Sequence, residues 1–472
     1  MNFSHEPVAQ PAPATHLNSA YIWTVSSIGA LGGLLFGYDW VVIGGAKPFY
    51  EKFFHLETAS QQGWAMSCAL IGCLIGALLS GALSSRFGRK PPLVLSAFLF
   101  SLSSIAAALT GQLAAFVFWR MLGGLAIGLA SSLSPLYIAE MAPAQQRGKL
   151  VSLNQLTLVC GILLAQVVNW LIAKPVPADA SASYILQSWN GQIGWRWMFG
   201  VTAIPSILFF IAMLLVPESP RWLAANGRID MAEAILRRIG GSAYSEEVSR
   251  EIQDSLRKGS ARNSFGSLFE KKLRKVLALG VFLAILQQWC GINVVFNYAE
   301  EVFAAAGYQV SDLLFNIVVT GAVNVAFTIL AFRVVDKFGR RKLLLFGSLG
   351  LSVLYAVLGF LYYRHSHGIH MLILVVAAIA FYAMSLAPVT WVVISEIFPA
   401  RIRSMAVSVS VTALWLACFL LTYTFPFLNK SLGSSGTFWI YSIICALGFL
   451  YLSISLPETK GKSLETIERM WG

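Results

Sequence analysis

Residues 61–90 read QQGWAMSCALIGCLIGALLSGALSSRFGRK. From Gln61 to Ser85 no side chain is charged, and then Arg86, Arg89 and Lys90 crowd around Gly88. A bilayer core about 30 Å thick is crossed by about 20 apolar residues in a helix. The stretch therefore predicts a membrane-spanning helix that stops on a basic turn.

Working outward, comparable apolar runs centre on 21–44, 61–84, 92–110, 114–139, 150–173, 195–216, 273–298, 311–332, 343–363, 371–394, 404–428 and 435–456. The composition agrees, with 57 % hydrophobic and 12 % charged residues, about half the charge of a soluble domain. The six cysteines (Cys68, Cys73, Cys160, Cys290, Cys418, Cys445) all fall in apolar runs, where they serve as small core residues and imply no disulfide framework. The polar opening, Met1 to Asn18, lacks the basic and apolar segments of a signal peptide and is expected to be a disordered cytosolic lead.

The net charge of +12 follows topology. Arg86, Arg89, Lys90, Arg147, Lys149, Lys337, Arg340, Arg341, Lys342, Arg401 and Arg403 occupy alternate short loops, while Lys47, Lys52, Lys174, Arg196, Arg364 and Lys430 are the sparser cations of the others. By the positive-inside rule the former set faces the cytosol. Twelve crossings then leave both termini inside a multi-pass cell-membrane protein whose basic excess meets anionic lipid, with no nucleic-acid role.

The basic turn returns. Arg86-Phe87-Gly88-Arg89-Lys90 is echoed by Lys337-Phe338-Gly339-Arg340-Arg341-Lys342, Glu140-Met141-Ala142-Pro143 with Arg147 by Glu396-Ile397-Phe398-Pro399 with Arg403, and Pro217-Glu218-Ser219 by Pro457-Glu458-Thr459. Three features in one order indicate a duplication. The expectation is an all-α membrane protein: a lead (1–20), a six-helix bundle (21–217), a cytosolic helical linker (218–271), a second six-helix bundle (272–457) and a tail (458–472). The linker has amphipathic spacing over 231–238 and 246–258. Duplicated halves are a known transporter plan, with substrate held near the midplane.

Buried polar groups point to the cargo. Gln287, Gln288 and Asn293 stand in an apolar run, and carboxamides can both donate to and accept from sugar hydroxyls without bearing charge. Asn293 is about 140° round an ideal helix from Gln288, so the set converges only if the helix bends or breaks, with Gly291 the expected place. Asp39 and Arg120 are isolated ions in apolar runs and natural partners, because an unpaired charge at that depth is costly. A carboxylate whose pKa is raised by desolvation and lowered by a guanidinium can swing between protonated and charged as a cavity opens and closes.

Gly33-Leu34-Leu35-Phe36-Gly37-Tyr38-Asp39, Arg147-Gly148, Pro217-Glu218-Ser219-Pro220-Arg221-Trp222, Gln287-Gln288 with Gly291-Ile292-Asn293, and Pro457-Glu458-Thr459-Lys460-Gly461 together resemble the sugar porter family of the major facilitator superfamily. The likeness runs from the first helix to the C-terminus, nearest to bacterial xylose and galactose proton symporters and more distantly to mammalian facilitative glucose transporters. It implies the major facilitator fold and monosaccharide transport by a monomer, with no enzymatic chemistry, no cofactor and no metal.

The resemblance also adds residues. Gln155, Asn324, Trp391 and Trp415 join the amides as sugar contacts, with Phe36 and Tyr298 closing the outer side. Glu140, Arg147, Glu218, Arg221, Glu396 and Arg403, with Arg89, Arg340 and Asp336, form gating ion pairs that link the halves when the cytosolic side is closed. Asp at position 39 marks proton-coupled members. The sequence departs from the family at Ser85, where many members have Asp, at Ala387, where Gly is common, and at Leu414, where the xylose symporter has Gln. One fewer polar contact leans the expectation to a hexose such as glucose or galactose. An uncoupled uniporter is the nearest alternative reading, and a sugar sensor, expected to carry a long tail after Lys462, a remote one. His365, His367 and His370 have metal-like spacing on a short outer loop but are not read as a metal site.

Overall fold

The computed structural model describes residues 17–177, 180–258, 273–307, 310–398 and 403–460. Its membrane helices are α1 (Ser19–Phe53), α2 (Ala59–Phe87), α3 (Lys90–Leu109), α4 (Leu113–Met141), α5 (Arg147–Ile172), α6 (Asn190–Leu215), α7 (Leu273–Asn297), α8 (Val310–Phe338), α9 (Arg340–Tyr363) and α10 (Ile369–Ile394). A last helical run, Arg403–Ser455, turns at Gly433 (φ 65°, ψ 177°) and so supplies α11 and α12. That makes the expected twelve crossings.

Within each half the same device ties the basic loops together. The Glu218 carboxylate accepts from the backbone N–H groups of Arg89 (2.9 Å) and Lys90 (3.1 Å) at the start of α3, and Glu458 does the same for Arg340 (2.9 Å) and Arg341 (3.1 Å) at the start of α9. An anion belongs there, because the first N–H groups of a helix lack partners and carry its positive dipole end. The duplication read from the sequence thus reaches individual hydrogen bonds.

Between the halves lie a short helix, Pro220–Ala225, and a longer one, Ile229–Lys258, that departs from helical geometry at Gly240 and Gly241. The Asn18 backbone N–H donates to Ile239 O (2.8 Å), tying the entrance of α1 to this segment. The lead before residue 17, the linker over 259–272 and the tail after 460 fall outside the described residues.

The halves pack on each other along α2 with α11 and α5 with α8. They also meet at the end away from the basic loops, where α1 lies against the second part of α7 and the following helix Ala299–Ala305. Among the described residues no comparable seam joins α4 to α10 at the basic-loop end. The molecule is thus shut at one mouth and parted at the other.

One boundary corrects the sequence reading. Lys47 and Lys52, expected in a loop, belong to α1, which runs on through Pro48 to Phe53. Phe49 and Tyr50 are fully buried, and their packing outweighs the backbone donor that Pro48 lacks.

Candidate functional site

Arg120 of α4 donates from Nη1 to Asp39 Oδ1 of α1, and both side chains are about nineteen-twentieths buried, at 5 % and 6 % exposure. The Arg120 guanidinium also lies over the Phe199 ring (5.3 Å to its centroid). Asp39 reaches this depth because Gly37 lets α1 press on α5: a Cβ there would sit 1.8 Å from Leu158 O. The partners predicted from burial are in contact.

The amide set is assembled by a broken helix. Gly291 (φ 86°) separates Leu273–Trp289 from Ile292–Asn297, in a left-handed conformation that favours glycine. Across the break Asn293 Nδ2 donates to Gln288 Oε1, and Gln288 Nε2 donates to Gln287 Oε1 (3.0 Å). All three amides are buried, so none points to lipid. The break expected at Gly291 is what turns Asn293 onto its neighbours.

A wall from α11 links the two groups. Trp415, 3 % exposed, packs against Phe36 (5.6 Å between centroids) and Trp40 (6.2 Å), the residues that bracket Asp39 on α1. One turn further along α11, Cys418 Sγ lies 3.9 Å from Asn293 Nδ2. Ion pair and amides therefore flank one interbundle aromatic cluster. Trp40 was missed in the sequence because its aromatic neighbours give it no distinguishing signal.

The remaining residues singled out from sequence divide into three groups. Asn324 on α8 is buried, Gln155 on α5 is half-buried, and Trp391 on α10 is 39 % exposed and so not held in the core. Tyr298 is fully buried at the shut mouth, where its hydroxyl donates to Thr422 O of α11 (2.6 Å) and its ring meets Phe425 (4.3 Å). Gln166, not foreseen, is buried with both amide atoms unpartnered and abuts Gly321 of α8 across the halves. Its signal was available, because eleven residues bring a helix round to within about 20° of the face bearing Gln155.

The expected gating pairs take a different form. Arg89 donates to Glu140 (2.7 Å), which also accepts from Ser219 Oγ (2.5 Å). In the second half Arg340 donates to Glu396 (3.5 Å), which accepts from Thr459 Oγ1 (2.7 Å). Each network stays within its own half, and among the described residues none at this end crosses to the other. Arg147 bonds Ala139 O (3.0 Å), and with Arg221 it lines a recess of about 430 Å³ against the linker residues Tyr244, Glu247 and Glu251. The side chains of Asp336 and Arg403 lie outside the described residues. Ser85 leaves its loop tied by a backbone bond, Trp222 Nε1 to Ser85 O (3.0 Å).

Comparison with known proteins agrees with this geometry. Residues 25–471 match the family model described as sugar (and other) transporter. The chain is 40 % identical to the D-xylose-proton symporter of Escherichia coli (strain K12) over 488 residues, covering 97 % of each. It is 38 % identical to the arabinose-proton symporter of Bacillus subtilis (strain 168) over 461 residues, again 97 % of each. The xylose transporter of E. coli, solved in an inward-open conformation, superposes with TM-score 0.84 at 38 % identity, covering 96 % of this chain and all of that one. With family match, identity and fold in accord, this multi-pass membrane protein belongs to the sugar porter family of the major facilitator superfamily.

Proposed function

We propose that the chain is a sugar–proton symporter of the cell membrane, working as a monomer by alternating access with its basic-loop end in the cytosol. The observation that carries the reading is the buried Asp39–Arg120 pair set against the same aromatic wall as the amide set. A buried carboxylate in reach of one guanidinium has two low-energy states, ionised and paired or protonated and released. In this scheme a proton entering from outside neutralises Asp39 and frees Arg120, and the sugar-loaded protein closes outside and opens inside. Loss of the proton to the cytosol restores the pair. A potential of 100 mV supplies about 2.3 kcal/mol per charge, sufficient for roughly 50-fold accumulation at one proton per sugar.

The amides supply recognition. A hydroxyl that both donates and accepts can replace one of the bonds among Gln287, Gln288 and Asn293 without leaving either partner unsatisfied. Gln155, Asn324 and Gln166 extend the polar face, and Trp391 and Trp415 offer stacking surfaces for the C–H face of the ring. For the cargo, the hexose expected from Leu414 and Ala387 finds no support, and a pentose is favoured. Relatives named for xylose and arabinose are 40 % and 38 % identical over nearly the whole chain.

Proteoliposomes test both claims. Labelled xylose should accumulate under an inward proton gradient in the unmodified protein and only equilibrate in Asp39→Asn. Concentrative uptake persisting in the variant would refute the coupling role. Unlabelled xylose and arabinose should compete better than glucose or galactose, and the reverse order would overturn the pentose reading.

A further inference from the structure

At the shut mouth, away from Asp39, one cation is held among three carboxylates. Lys47 Nζ lies 2.6 Å from Glu301, 3.2 Å from Glu51 and 3.4 Å from Glu300. Lys47 and Glu51 belong to α1, and Glu300 and Glu301 to the helix that follows α7, so the cluster joins the two bundles. The backbones meet here too, since a Cβ on Gly44 would sit 2.9 Å from Asn297 O. The mouth cannot open while these contacts stand.

The charges do not balance. One ammonium faces three carboxylates, and Glu51, with a side chain only 10 % exposed, has an oxygen, Oε1, without any hydrogen-bond partner. Oε2 of Glu301 is likewise unpartnered. The other titratable groups facing the cluster are the phenols of Tyr50 on α1 and Tyr298 after α7, which is itself 5.8 Å from Lys47 Nζ. Beyond them lie Cys68 on α2 and Tyr441 on α12. None is a cation. Protonating one carboxylate would remove one like-charge repulsion and the cost of holding an unpartnered ionised oxygen in a buried site.

We propose that this cluster is a second proton-binding site, a latch that takes up one proton from the external solution on Glu51 or Glu301 as the outer mouth closes and returns it there on opening. The proton is never carried across, so the latch leaves the proton-to-sugar ratio unchanged while making closure sensitive to external pH. It rests on the orientation and alternating access proposed above but not on Asp39.

Spin labels at the exposed outer residues Glu57 and Arg364, on opposite halves, report the mouth by distance in nanodiscs. The background is Asp39→Asn, which removes the proton site proposed above. One proton bound on closing makes the closed-to-open ratio rise up to tenfold per unit fall in pH. In that background the short-distance population should grow as pH falls from 8 to 5.5. Adding Glu51→Gln with Glu301→Gln should flatten the dependence and hold the mouth closed throughout, and Lys47→Met should shift the ratio at least tenfold toward open. His55, His365, His367 and His370 lie at the same end and are present in every variant, so the difference between variants isolates the latch. A pH dependence unchanged by the two glutamines, or a Lys47→Met population equal to that of its parent, overturns the proposal. Either result leaves the uptake test of Asp39 standing on its own.

Discussion

Gly291→Ala tests how the sugar site is built. Residue 291 has φ of 86°, and an added Cβ would lie 2.7 Å from the Cγ and Cδ2 atoms of Tyr441, a buried ring wedged by Tyr355 and Phe438. The left-handed conformation costs an alanine about 1–2 kcal/mol, and overpacking adds about 1–3 kcal/mol. The chain escapes both by straightening α7 into a continuous helix. That moves Asn293 to about 140° from Gln288 and separates the pair that now bonds across the break. In the proposed site, a sugar hydroxyl bonded to both amides would then lose one buried hydrogen bond, about 1–3 kcal/mol, or roughly 5- to 150-fold in Kd. Calorimetric titration of the purified variant with xylose measures the loss, with a thermal melt confirming that the protein remains folded. A folded variant that binds with the Kd of the unmodified protein would refute the claim that the break aligns the amides.

Two further outcomes follow from named contacts. Trp415→Ala removes the ring between Phe36, Trp40 and the amide wall, so it should cost about 3–5 kcal/mol in stability as a buried aromatic truncation and also weaken sugar binding. Binding unchanged in a folded protein would assign Trp415 to packing alone. Burial alone would raise the Glu458 carboxyl, but the backbone amides of Lys460, Arg340 and Arg341 outweigh it and hold the group below the usual carboxylate range. Its ionised form therefore stabilises the fold above the unfolded-state pKa, and that contribution fades as pH falls through the lowered folded one. Glu458→Gln should cost about 0.3–1 kcal/mol at pH 7, toward the lower end because solvent screens the half-exposed group. The gap between the two melting curves should narrow as pH drops below 4.5; a gap of constant size would disprove the capping role.

Much of this was legible in the sequence, for identifiable reasons. Apolar length marks membrane helices regardless of tertiary packing, and motifs repeated in order reveal the two halves. Asp39, Arg120 and the α7 amides stood out because polarity in lipid surroundings is rare and costly. What stayed hidden depends on distance in three dimensions. Lys47 reads as a loop cation until α1 is seen to continue past Pro48 and bury it. Glu300 and Glu301, just past the seventh apolar run, carry no sequence sign that they meet that lysine, 253 and 254 residues away. The gating charges were expected to pair across the halves, whereas the pairs present, Arg89–Glu140 and Arg340–Glu396, stay within one half.

The contrast between scaffold and site explains how duplicated halves can drive a directional cycle. The loop devices are the same on both sides: Glu218 and Glu458 cap equivalent helices, and Glu140 and Glu396 bind equivalent arginines. The working groups are not. The buried ion pair belongs wholly to the first half, on α1 and α4, whereas the amide set belongs to the second, on α7. Helix α11 reaches both neighbourhoods, Trp415 packing on Phe36 and Trp40 of α1 and Cys418 lying beside Asn293. In the proposed scheme the proton acts on the first half, while the sugar is held by the α7 amides together with Gln155 and Gln166 of α5, so the seam between the halves couples the two. A ligand or proton chooses between the two mouths only through its difference in binding free energy between them.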